Sequence, residues 1–136
     1  MRKLDFEKYE GTGNDFVVVD AEVESAVSPA DARVLCDRRF GIGADGVLLV
    51  TPAAGAARAK MIVLNADGSR PEMCGNGLRC VALHLARRDG LSQADLVIDT
   101  DAGPKHARVS RSAAGDDAEV TVGMGRGRLL GERKFP

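Results

Sequence analysis

Residues 74–88 read Cys-Gly-Asn-Gly-Leu-Arg-Cys-Val-Ala-Leu-His-Leu-Ala-Arg-Arg, and this stretch decides the fold. From Leu78 to Arg88 the spacing predicts a helix that is apolar almost all round, through Leu78, Cys80, Val81, Ala82, Leu83, Leu85 and Ala86. A surface helix keeps a polar face, so a helix without one belongs in the core. Arg87 and Arg88 suit the negative end of the helix dipole, and Gly90 suits the left-handed cap. The rest of the chain must therefore wrap around this helix.

The flanking segments supply the wrapping. Leu4–Tyr9 and Phe16–Asp20 read as strands around the turn Gly11-Thr12-Gly13-Asn14-Asp15, in which Gly and Asn tolerate positive φ. Ser28-Pro29 starts a first, amphipathic helix, with Ala32, Leu35, Cys36 and Phe40 at helical spacing up to Gly41. Val47–Val50 and Lys60–Leu64 are strand candidates before residue 74; Leu96–Thr100, His106–Ser110 and Glu119–Val122 are strand candidates after residue 88. Turns are expected at Gly103-Pro104 and Ala114-Gly115-Asp116-Asp117. Short connections without regular βαβ alternation predict an α+β fold: a curled, mainly antiparallel sheet wrapped around a central buried helix.

Composition removes several functions. With 136 residues the chain has the size of one domain, and 44% hydrophobic against 29% charged residues is a globular balance. The 19 basic and 20 acidic residues leave a net charge of -1, which sets up no field for a polyanion or an anionic membrane. Aromatics are 4% and Trp is absent, so stacking platforms for bases are missing and no nucleic-acid partner is expected. No apolar run approaches the roughly 18 to 20 residues that span a bilayer, and Met1–Tyr9 carries charges where a signal peptide needs apolar residues. A cytoplasmic protein without membrane contact is expected. Three cysteines without CxxC spacing argue against a disulfide framework and against a structural zinc site.

Cys74-Gly75-Asn76-Gly77 is the strongest chemical signal, because a thiol at a helix entrance lies beside unpaired N–H groups and the positive end of the dipole. Cysteines in that setting ionise readily, and the same end attracts a carboxylate or phosphate. The bland alternative is a cysteine that only packs. Gly13-Asn14-Asp15 and Asn65-Ala66-Asp67 offer amides and carboxylates at strand ends, although Asn and Asp are also ordinary turn residues. Gly41-Ile42-Gly43-Ala44-Asp45-Gly46 has the GxGxxG spelling, but it follows a helix and precedes a strand, the reverse of a dinucleotide site. Cys80 and His84 lie one turn apart without third and fourth metal ligands, so core packing is expected of them. His106 has no triad partner, and Arg126–Lys134 reads as a solvated tail.

Taken in order, Gly11–Phe16, Gly41–Gly46, Asn65–Ser69 and Cys74–Cys80 closely resemble the diaminopimelate epimerase family. The resemblance runs from about Lys3 onward and covers the N-terminal half of a two-lobed protein: a lobe over residues 1–122, then the start of an inter-lobe linker over 123–136. It implies interconversion of LL- and meso-diaminopimelate in lysine and cell-wall precursor synthesis, without pyridoxal phosphate, other cofactor or metal. It also implies one cysteine from each lobe. On that pattern Cys74 is one acid/base thiol, Asn14 and Asn65 hold the polar ends of the substrate, and Gly75 and Asn76 present N–H groups to its α-carboxylate. The second cysteine would come from the C-terminal lobe, or from a homodimer that pairs two copies of Cys74. Some members carry Gln where this chain has Gly46, so that side-chain contact is missing here. Two other readings are a proline-type racemase or isomerase of the same two-lobed superfamily, and a stand-alone binding or redox-responsive module with Cys74 as a reactive thiol.

Overall fold

A computed structural model of the chain describes residues 4–112 and 118–123. The expected turn at Ala114–Asp117, the Arg126–Lys134 tail and all of the proposed linker beyond Gly123 lie outside the described residues. The elements are β1 (Glu7–Gly11), β2 (Asn14–Asp20), α1 (Pro29–Cys36), β3 (Gly46–Thr51), β4 (Ala59–Asn65), α2 (Gly75–Arg88), β5 (Gln93–Thr100), β6 (Gly103–Arg111) and β7 (Ala118–Gly123), with one 3-10 turn at Glu24–Ala26.

The strands form one sheet in chain order, β1 to β7. Pairs β1/β2, β3/β4, β5/β6 and β6/β7 are antiparallel; β2/β3 and β4/β5 are parallel. Parallel neighbours need a crossover long enough for a helix, and α1 and α2 are those crossovers. The sequence predicts the antiparallel neighbours but not these two βαβ units, because antiparallel pairs separate them and hide the alternation. Both crossovers advance the same way across the sheet while their strands run in opposite senses. A common right-handed crossover then puts the two helices on opposite faces.

The packing agrees. On one face α2 meets Phe16, Val18, Leu48, Val50, Met61, Val63, Leu96, Ile98, Ala107 and Val109. On the other, Ala32 and Cys36 of α1 meet Val17, Val19, Val47, Leu49, Ile62 and Leu64. Strands β2 to β4 are thus covered on both sides, which is why they read as continuous apolar runs rather than alternating ones. Strands β5 to β7 bury only the α2 side and alternate. The two halves join through a short parallel pairing, Ala59–Ile98 and Lys60–Asp99.

Helix α2 is as deeply enclosed as its sequence requires: Leu78, Val81, Ala82, Leu85 and Ala86 are fully buried. His84 shares that environment because both ring nitrogens find partners, Nδ1 with the Tyr9 hydroxyl at 3.0 Å and Nε2 with Asp20 Oδ2 at 2.9 Å. The helix closes as a Schellman motif, with Leu91 N bonded to Ala86 O, Gly90 N to Arg87 O, and Gly90 at φ +69°.

Helix α1 begins as expected, with a reciprocal capping box between Ser28 and Asp31. It ends at Cys36 rather than continuing to Phe40, which is 86% exposed. The Asp37 carboxylate accepts bonds from the Arg39 and Phe40 amides, and the Gly41 backbone packs so closely on the Val34 carbonyl that a Cβ would overlap it. The chain therefore turns instead of adding a helical turn. In the β1–β2 hairpin the positive φ values fall on Thr12 and Gly13, not on Asn14, which opens β2. No helix among the described residues is long and apolar enough to cross a membrane.

Leu85→Ala should cost about 2–5 kcal/mol of stability in urea unfolding. Leu83, only partly buried against the same cluster, should cost clearly less when replaced by Ala. Equal losses would contradict the orientation of α2.

Candidate functional site

Topology collects the candidate residues at one rim. Strands β2 and β3 start there, β4 ends there, and α2, which follows β4, starts there. Register makes the neighbours explicit: Gly46 pairs with Phe16 on one side and Asn65 on the other. Alternation fixes which way the side chains point. Phe16 and Val18, like Met61 and Val63, face α2, so Asn14 and Asn65 face it as well.

At the helix entrance Cys74 is the N-cap. Its backbone is extended, its carbonyl accepts from Leu78 N at 2.8 Å, and its Sγ accepts from Gly77 N at 3.3 Å. The sulfur takes the place of the oxygen that usually caps a helix. The Gly75 and Asn76 N–H groups, the first two of the helix, have no intrahelical acceptor and belong to the same turn as the half-buried sulfur. Gly77 lets the helix entrance sit closely on the sheet, since a Cβ there would come within 2.9 Å of Leu48 Cδ2. Gly11 at the end of β1 likewise allows close approach to the Asn76 carbonyl.

The other thiols differ. Cys36 and Cys80 are buried, and burial pushes both thiols up, Cys80 to about 12 with the neighbouring Cys74 adding to the effect. A thiol held protonated in the core is a poor nucleophile and a poor base.

Two of the amides are joined across the rim. Asn76 Nδ2 donates to Asn14 Oδ1 at 2.6 Å, and Asn14 Nδ2 donates to Asp45 Oδ2 at 3.1 Å. Asn65 lies at the end of β4 and is held by its own turn. Its Nδ2 donates to Ser69 Oγ at 3.0 Å, Ser69 Oγ donates to Asp67 Oδ1, and Gly68 sits at φ +88° against the start of α1. The structure thus brings Cys74, Gly75, Asn76 and Asn14 into one connected group, with Asn65 on the same rim and face.

Asp15, one of the strand-end carboxylates offered by the Gly13-Asn14-Asp15 loop, is structural. Hydrogen bonds from Arg38 and then Lys8 hold its carboxyl well below the usual carboxylate range. Sequence reasoning missed Arg38 and Asp45. The available signal was Asp45 within Gly41–Gly46, a segment whose resemblance drew attention to Gly46 and not to Asp45. Among the described residues no group of three or more His, Cys, Asp or Glu side chains is arranged to hold a metal.

A curled sheet around a buried helix, with a thiol and amides at the helix entrance, has the fold of a racemase or epimerase lobe. A probable proline racemase from Agrobacterium radiobacter K84 shares it, with a TM-score of 0.66 at 16% identity over 88% of this chain and 41% of that one. Sequence comparison is more specific: residues 6–130 match the family described as diaminopimelate epimerase, and the chain belongs to that family. The diaminopimelate epimerase of a Synechocystis species is 45% identical over 131 residues, 95% of this chain and 45% of the relative. That of Desulforudis audaxviator is 46% identical over 128 residues, 93% of this chain and 45% of the relative. The chain spans a little under half the length of these relatives.

A limiting alkylating reagent should label Cys74 ahead of Cys36 and Cys80, as read by peptide mass spectrometry; preferential labelling of either buried thiol would contradict the site. A second expectation concerns Gly46. A Cβ there would lie 2.9 Å from the Leu64 carbonyl and 3.6 Å from the Phe16 ring. Gly46→Gln should therefore lower stability by about 1–3 kcal/mol in thermal unfolding, the usual cost of overpacking. An unchanged or higher Tm would show that the strands separate freely at this point.

Proposed function

We propose that this chain is the N-terminal lobe of a diaminopimelate epimerase, acting on LL- and meso-diaminopimelate through two cysteines, of which Cys74 is one. The observation that carries the proposal is the cap itself: Cys74 Sγ on the Gly77 amide, in the same helix turn as the first two N–H groups, those of Gly75 and Asn76. Membership of the family supports the choice of substrate over that of a proline-type racemase.

The chemistry follows from stereochemistry. An α-C–H is a very weak acid, and a base on one face can return its proton only to that face, so inversion needs an acid opposite. Cys74 as thiolate would take the α-proton while a thiol on the far side delivers its own proton to the carbanion. The product has the opposite configuration, and the two sulfurs have exchanged protonation states. The Gly75 and Asn76 N–H groups would stabilise the α-carboxylate as it gains enolate character, the electrostatic contribution that is usually largest in such reactions. Asn14 and Asn65 would hold the polar ends, since amides both donate and accept. No pyridoxal phosphate or metal enters this scheme.

The opposing thiol belongs, in this proposal, to a second lobe of the length by which the relatives exceed this chain. The lobe proper covers residues 1–122, the linker starts at 123, and closure of two lobes would exclude water from the reacting centre. A cytoplasmic setting suits three free thiols.

In an enzyme completed by its second lobe, Cys74→Ala should lower kcat by at least the factor of about 10²–10⁴ that general acid–base catalysis contributes, with the melting curve retained. Near-normal epimerisation would remove Cys74 from the mechanism. The 136-residue chain alone, incubated with LL-diaminopimelate in deuterated water, should neither invert nor label the α-carbon. Meso isomer formed in proportion to protein concentration would show instead that two copies pair their Cys74 residues.

A further inference from the structure

We propose that Asp45 is a positioning residue that fixes which ends of the Asn14 and Asn76 amides face the substrate. The inference rests on the reading above, that diaminopimelate binds beside Cys74. The oxygen and nitrogen ends of a side-chain amide have the same shape, so partners alone decide its orientation. An ionised carboxylate only accepts hydrogen bonds. Asp45 Oδ2 accepts from Asn14 Nδ2 and from the Asp15 amide, each at 3.1 Å, and so commits the nitrogen of Asn14 to its own side. The oxygen of Asn14 is thereby turned to Asn76, where it accepts from Nδ2 at 2.6 Å. That bond commits Asn76 in turn and leaves its oxygen and second N–H for other partners, two residues from Cys74. One carboxylate outside the helix entrance thus determines the display of donors and acceptors at it.

Asp45 is well anchored for this task. Its amide donates to the Asp15 carbonyl at 2.9 Å, and its carbonyl accepts from Ala66 N, beside Asn65. Arg38 bridges the two carboxylates, with Nη1 and Nη2 on Asp15 and Nη2 also on Asp45 Oδ1 at 3.1 Å. The guanidinium keeps two like charges at neighbouring positions and holds Asp45 on the Asn14 side. An ordinary exposed ion-pair cluster would contribute little and would have no effect on ligand display.

The test uses the 136-residue chain labelled with ¹⁵N, following the side-chain amide signals of Asn14 and Asn76 during titration with LL-diaminopimelate. In the unaltered chain both amides should be dispersed from free-amide positions and should move on titration. Asp45→Ala should return them toward free-amide positions and weaken binding about tenfold, the worth of one hydrogen bond. Asp45→Asn keeps the shape and an acceptor for Asn14 and should recover part of the loss. Charge alone predicts the opposite, because removing a negative group beside a carboxylate site would tighten binding and would act equally in both variants. Asp95→Ala, on the far face of β5 and paired with Arg108, should change nothing. Equal binding midpoints for the unaltered chain and Asp45→Ala would overturn the positioning role while leaving the proposed function standing. Titration that moves neither amide in the unaltered chain would overturn both.

Discussion

The enclosure of α2 is the constraint from which the rest of the molecule follows. A helix with Leu78, Val81, Ala82, Leu85 and Ala86 fully buried offers water almost nothing along its length. The sheet must curl to surround it, and its two halves are joined by the short β4–β5 pairing. The polar groups of such a helix reach the exterior only at its ends. The C-terminal end is closed by its own Schellman bonds, so the N-terminal end is where backbone donors remain for something else. Core and candidate site are two parts of one element.

The opposite placement of α1 and α2 has a second effect. Each helix returns the chain to the start or end of a strand, and the strands on which they act run in opposite senses. The return from α1 therefore delivers residues 37–45 to the same rim at which α2 begins. Arg38 and Asp45 arrive from one face of the sheet, Asn76 and Cys74 from the other, and Asn14 at the start of β2 connects them. Neither helix alone could supply this junction.

What the sequence made legible was local. The apolar circuit of Leu78–Arg88, the Ser28-Pro29 cap and the thiol ahead of a glycine-rich helix start are each contained within a few residues, and each is found where the sequence puts it. The premature end of α1 was not legible, because Phe40 has the right spacing, and the Asp37 carboxylate together with the close contact of Gly41 on the Val34 carbonyl turns the chain away. The parallel pairs were hidden for a related reason, since periodicity describes a strand but not its neighbour. At the site, Asn14 and Asn76 are 62 positions apart, and Asn14 and Asp45 are 31 apart. No spacing rule relates such positions, so the amides could be named singly while their connection, and the carboxylate behind it, could not.

The geometry also bears on why one lobe would be insufficient for inversion. A capping thiol of the kind seen at Cys74 needs a helix entrance, and this rim has one. The entrance of α1 lies on the other face, with its Pro29 carbonyl against Gly68, and is capped by Ser28. Cys36 ends α1 in the core, and Cys80 lies inside α2, where burial keeps its proton in place. Moving either sulfur opposite Cys74 would require unpacking a helix from the sheet, at the expense of the burial that defines the fold. Under the proposed function, the described residues would thus offer sulfur to one face of a substrate and leave the other face open. A second entrance of the same construction, from another lobe or another copy, is the simplest way to complete two-sided proton transfer, because it repeats a solution the fold already contains.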